Sequence, residues 1–233
     1  MSTTPFTALG LGFVLGLRHA LDVDHLAAVS TIVSQRRSLW RSSLVGGLWG
    51  LGHTASLVAV AVAVIGLHTE IPDSVGHGLE LGVAAMLVVL GLNLLRSVLA
   101  GRVHLHQHTH GARGHVHAHL HPHGSSAHDH GPSGRRPFFV GLVHGLAGSA
   151  GLMLAVAATI PNPVLALAYV AVFGVGSVGG MAIMSALFGI PALLTGDRFA
   201  NADTILKLCA ATASVTIGLR LAWQIGTAAG LLA

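Results

Sequence analysis

FTALGLGFVLGLRHALDVDHLAAVSTIV, residues 6–33, is apolar at both ends and carries a polar island of seven residues, His19-Ala-Leu-Asp22-Val-Asp24-His25. The stretch is long enough to cross a bilayer, which takes about 20 apolar residues as a helix. Ionisable side chains inside such a span are costly to place, and they mark substrate, ion or proton pathways. Two imidazoles and two carboxylates are also the side chains that hold metal ions.

The rest of the chain agrees with a membrane setting. Apolar residues make up 52% of it and charged residues 9%, with a mean hydropathy of +0.73. Soluble domains carry roughly 25% charged residues, so most of this surface is expected to face lipid. A formal charge of +4, spread along the chain, does not suggest nucleic acid. Cys209 is the single cysteine, so there is no disulfide framework. Residues 1–5 lack the basic start of a signal peptide, and the segment that follows reads as a retained first span.

Outward from the island, six apolar segments separate at charge, Pro or Gly: roughly 6–33, 42–67, 78–99, 138–160, 163–190 and 204–229. All should be helices, because a backbone in lipid has to satisfy its own hydrogen bonds. The expected fold is therefore all-α, a polytopic membrane bundle of six transmembrane helices. Basic residues alternate between connections. Arg36, Arg37 and Arg41 follow the first segment; Arg96, Arg102, Arg113, Arg135 and Arg136 surround the third connection; Arg198 and Lys207 mark the fifth. The second and fourth connections have none, which places both termini outside and loops one, three and five in the cytoplasm.

The two halves resemble each other. Gly16-Leu-Arg-His19-Ala-Leu21 aligns with Gly141-Leu-Val-His144-Gly-Leu146, Gly50-Leu-Gly52 with Gly174-Val-Gly176, and Leu79-Glu-Leu81 with Leu206-Lys-Leu208. Three spans per half means that the second half runs opposite to the first, an inverted repeat with a substrate site expected at the interface. The divisions are 1–100 (first repeat), 101–137 (a His-rich cytoplasmic loop, expected to be disordered) and 138–233 (second repeat).

On an ideal helix, His19 and Asp22 lie about 60° apart, as do Asp22 and His25, whereas His19 and His25 are about 120° apart. Either the helix unwinds here or one histidine has another role. Arg18 stands four residues before Asp22 and is a candidate to neutralise it in the empty site. The competing reading is a helix-end network of Arg18, Asp22 and Asp24 with incidental histidines. Mixed imidazole and carboxylate ligation suits Ni, Co, Zn or Fe, and scattered Met with one Cys argues against Cu(I). His53 and His144 also lie inside spans; each is a candidate ligand or a packed, hydrogen-bonded histidine. Asn93 and Arg220 occupy equivalent positions and are expected to bond between helices.

The third connection holds 11 of the 17 histidines: His104, His106, His108, His110, His115, His117, His119, His121, His123, His128 and His130. Imidazoles spaced by one residue chelate borderline ions in many interchangeable ways, so the loop is expected to collect, buffer or sense metal.

With those residues in view, the chain resembles the nickel/cobalt transporter family. His, four residues, then Asp-His is that family's signature, matched by His19 through Asp24-His25. Gly52-His53-Thr54 resembles its next motif. Gly141–Ser149 and Phe173–Met181 are similar to segments of its short bacterial branch. The resemblance implies movement of Ni²⁺ or Co²⁺, with His19, Asp22, Asp24, His25 and His53 as the functional set, to which the repeat adds His144. Here the signature is on the first span, whereas long members carry it on the second of eight.

The expectation is secondary transport of Ni²⁺, and of Co²⁺, across a bacterial inner membrane, with uptake supplying urease or hydrogenase. The metal is substrate, and no prosthetic group is expected. Partners would be the ion, the lipid bilayer and nickel-enzyme maturation proteins. No Gly-x4-Gly-Lys-Ser/Thr loop occurs, so ATP hydrolysis is not expected. Efflux of Ni, Co or Zn is the alternative within transport. A membrane-anchored storage or insertion factor and an intramembrane metalloenzyme are the alternatives outside it; the enzyme lacks a His-Glu-x-x-His and a separate general base.

Overall fold

The computed structural model describes residues 5–33, 38–67, 72–100, 104–110, 113–119, 135–146, 151–195 and 200–230. Its helices are α1 (Pro5–His19), α2 (Val23–Val33), α3 (Leu39–Leu67), α4 (Asp73–Ala100), α5 (Arg135–Leu146), α6 (Gly151–Ala158), α7 (Pro163–Thr195) and α8 (Ala200–Ala228). Four of them, α3, α4, α7 and α8, are long and apolar enough to cross a membrane; α1 and α2 together make a fifth candidate, bent by 56°. The expected segment 138–160 is represented by α5 and α6, and residues 147–150 between them lie outside the described set. Neither reaches across a bilayer alone, since 12 and 8 residues at 1.5 Å each span about 18 and 12 Å.

The first apolar segment is thus two helices, and its break answers the question that the island left open. α1 closes on tightened turns, with the Leu21 amide donating to the Arg18 carbonyl and the Asp22 amide to the His19 carbonyl. Asp22 then opens α2, its carbonyl accepting from the Leu26 amide. Aspartate is favoured at that N-cap position, and Asp24 in the first turn faces the positive end of the helix dipole.

The bundle is assembled through small residues. α7 packs against α1 and α3, α3 also packs against α5, and α4 pairs with α8. A side chain at Gly16 would run into the Phe173 carbonyl, and one at Gly141 into the Trp49 carbonyl, so the backbones touch there. α3 and α7 run antiparallel: Ser42 lies on Gly189, Gly46 on Ser185, Gly50 on Val178 and Thr54 on Gly174. One core gathers Val29, Val33, Trp49, Val83, Leu87 and Met181; another gathers Leu57, Ala61, Met153, Tyr169, Val170 and Phe173.

The membrane part is all-helical, and the strands among the described residues form one antiparallel hairpin in the His-rich loop. There β1 (His104–His110) pairs with β2 (Arg113–His119), His104 opposite His119 and His110 opposite Arg113. The alternation x-His-x-His, read as flexible spacing, is also the two-residue period of a strand. His121, His123, His128 and His130 lie outside the described residues.

Candidate metal centre

All six metal-ligating candidates of the membrane segments come together. His19 ends α1, Asp22 fills the break, Asp24 and His25 lie in the first turn of α2, His53 is on α3 and His144 on α5. Helix α3 brings His53 in because Gly50 and Gly52 on the same helix let it lie directly on α7 and α5. His144 arrives by the same means, with Gly141 and Gly145 seated on the backbone of α3.

The contacts form two short chains. The His19 Nδ1–H donates to Asp22 Oδ2 at 2.8 Å, and His19 Nε2 lies 3.0 Å from His53 Nε2. The His25 Nδ1–H donates to Asp24 Oδ1 at 3.1 Å, while the His144 Nε2–H donates to Asp24 Oδ2 at 2.9 Å. These proton positions follow from the carboxylates, which can only accept when ionised. The chains meet at His25, whose ring centroid is 4.5 Å from His19, 5.0 Å from His53 and 4.4 Å from His144.

Two overlapping groups have ligand atoms within 4.8 Å of one another: His19, His25 and His53, and Asp24, His25 and His144. His25, His53 and His144 are fully buried and His19 is 7% exposed, whereas the Asp24 and Asp22 side chains are 23% and 48% exposed. His25 Nε2, His53 Nδ1 and His144 Nδ1 are buried with no hydrogen-bond partner among the described residues. Buried polar atoms are ordinarily satisfied, so idle nitrogens on three clustered imidazoles set this chamber apart from an ordinary core, and imidazole suits borderline divalent ions.

Sequence reasoning passed over the aromatic walls of this chamber. Trp49 stands against His25 and His144 at 5.4 and 5.5 Å, and Phe173 against His19 at 5.3 Å. Trp49 was findable, one helical turn before His53 on the same face. Two supporting expectations are corrected. Asp22 pairs with His19 rather than with Arg18, which is exposed. Asn93 is exposed on α4 and makes no interhelical bond among the described residues, because α4 meets α8 through Ala84, Leu87 and Gly91 instead.

Residues 6–195 match the NicO family, described as high-affinity nickel-transport protein. The chain belongs to this nickel-transport family. A urease accessory protein, UreH, of Bacillus sp. (strain TB-90) is 34% identical over 229 residues, covering 96% of this chain and 93% of that protein. A high-affinity nickel transport protein of Cupriavidus necator is 36% identical over 77 residues, 33% of this chain and 22% of that one. No solved structure matches. The NicO match takes in α1 to α7 and with them all six clustered side chains. It is a family of transport proteins, not enzymes.

Proposed function

We propose that this chain carries Ni²⁺ across a bacterial cytoplasmic membrane by secondary transport, binding the ion within the cluster formed by His19, Asp22, Asp24, His25, His53 and His144. The observation that carries this reading is the convergence of four imidazoles and two carboxylates, three of their nitrogens idle, inside a bundle of apolar helices. With both carboxylates ionised, the cluster's −2 balances a dication. Co²⁺, with the same taste for imidazole and carboxylate, is the second substrate. Uptake is the favoured direction, feeding a nickel enzyme; the UreH relative's name fits that destination.

Six spans in two inverted halves are part of this reading, with both termini outside and the His-rich loop in the cytoplasm. Reciprocal contacts support it. Gly52 lies on Phe138 and Leu142, and its counterpart Gly176 lies on Phe13 and Leu17, the counterparts of those two. Gly91 meets Ala211 and Val215, and Gly218 meets Ala84 and Val88 in the same exchanged fashion. Direction of travel supports it as well. α4 follows α3 across a short connection and returns the chain to the side where α3 began. α7, antiparallel to α3, starts on the opposite side, so residues 135–160 have one crossing to make.

The test is ⁶³Ni²⁺ movement in proteoliposomes with wild type, His19→Ala and a 104–130 deletion. Flux lost in His19→Ala and kept in the deletion is the expected result. Flux indifferent to His19→Ala, or absent from wild type, overturns the reading, and retained ion without flux favours storage. Faster movement out of the loop-side compartment than into it would identify an exporter.

A further inference from the structure

The hydrogen bonds sort the six clustered side chains into two kinds, an inference that rests on the transport reading above. Asp22 accepts from Nδ1–H of His19; Asp24 accepts from Nδ1–H of His25 with one oxygen and from Nε2–H of His144 with the other. A neutral imidazole that donates from one nitrogen keeps its lone pair on the other. His19 and His25 therefore both present Nε2. His19 Nε2 is already 3.0 Å from His53 Nε2, and His25, whose Nε2 is idle, has a ring nitrogen in the same group within 4.8 Å. Metal–imidazole bonds of about 2.0–2.1 Å put neighbouring ligand nitrogens about 3–3.5 Å apart, so the three rings need only a small adjustment to close on one ion.

We propose that the ion sits among the imidazoles of His19, His25 and His53, and that Asp22 and Asp24 are positioning residues behind them. A carboxylate on the far nitrogen fixes a ligating ring's tautomer and direction and raises its basicity. In the alternative group, Asp24 with His25 and His144, the nitrogens nearest the carboxylate are the two that already bond it. Ligation there would strip both N–H donors from that carboxylate, whereas the three-imidazole position gives up only the His19–His53 contact. Exposure follows the same division: the three rings are 0 to 7% exposed and the carboxylates 23% and 48%. Three protein ligands leave coordination positions for water, which a carrier needs for loading and release.

Asp24 then has a second consequence. Its two oxygens join His25 of α2 to His144 of α5, which lies 120 residues from Asp24 and in the opposite half. A shift of α5 against α2 pulls the carboxylate that aims His25, so the movement of one half reaches the ion through Asp24. His144 is the handle in this arrangement and not a ligand.

The experiment uses the full chain, purified and given substoichiometric Ni²⁺, with X-ray absorption counting the imidazoles on the metal and equilibrium ⁶³Ni²⁺ binding and proteoliposome flux measured alongside. Wild type, Asp22→Asn, Asp24→Asn and His144→Gln are expected to have the same imidazole count, and His53→Gln one fewer. Asp24→Asn should bind within about a hundredfold of wild type, the range for losing such a support. Its maximal flux should fall more than its half-saturation rises, with Asp24→Glu recovering part of it. A count that drops in His144→Gln, or that stays constant in His53→Gln, overturns the assignment. So does Asp24→Asn losing its ion outright while eluting as a folded protein. The counts are read without flux, so a wild type that binds nickel through three rings but moves none would sink the transport reading and leave the ligand assignment standing.

Discussion

At the scale of single residues, Trp49 decides how firmly the histidines are held. Its indole is 1% exposed and lies against both His25 and His144, yet its Nε1–H has no partner among the described residues. Truncation to alanine opens a cavity against two imidazoles. Trp49→Ala is therefore expected to cost about 3–5 kcal/mol in detergent thermal unfolding, the usual range for a buried aromatic, and to weaken nickel binding as both rings loosen. Trp49→Phe keeps most of the wall and removes the idle donor, so it should lose far less stability. If Phe proved as damaging as Ala, the indole N–H would have a role that packing does not explain. The histidines and aspartates were legible in the sequence because ionisable groups stand out against apolar surroundings. Phe173 was not, because an aromatic in an apolar helix looks the same whether it faces lipid, core or ligand, and Trp49 showed only in its spacing of four from His53.

At the scale of elements, glycines set how closely the helices approach, and the structure separates those that matter from those that do not. Gly16 of α1 lies on the Phe173 backbone, while Gly10, less than two turns earlier, has nothing within 4 Å. Gly16→Val should push α1 off α7 and carry His19 with it, at a cost of about 1–3 kcal/mol or more and with loss of flux. Gly10→Val should be close to silent, and Gly141→Val should reproduce the Gly16→Val defect from the other half, through α3. Equal effects at Gly10 and Gly16 in paired stability and flux measurements would contradict this. Most helix limits were readable from hydropathy, charge and Pro or Gly breaks. The interruption at residues 20–22 carried neither Pro nor Gly. Its local mark is Asp22, an N-cap residue that pairs with His19 three positions back, and it rests as well on Asp24 with His144, a tertiary contact that no local signal announces.

At the scale of the whole molecule, parity of crossings separates the six-span arrangement from one in which α5 and α6 dip in and return. Both arrangements use the four long helices and the bent pair of α1 and α2, so hydropathy does not choose between them. They differ in the side on which Asn162 lies, just before α7. With six spans the residue faces the same side as the N-terminus; with five it faces the His-rich loop. Asn162 caps α7 by accepting the Val164 and Leu165 amides, a role that a small polar residue elsewhere in the turn does not share, so the reporter belongs next to it. A cysteine at Pro161, in a chain whose exposed Cys209 is serine, is expected to react with an impermeant maleimide on intact cells. A cysteine at Ser125 in the loop should react only after permeabilisation. Reaction of both under the same condition would remove one crossing and put the C-terminus on the loop side. It would also leave α7 parallel to α3, against the antiparallel seating of Ser42 on Gly189 and Thr54 on Gly174. The packing that brings His53 to His19 thus depends on the crossing that this experiment counts.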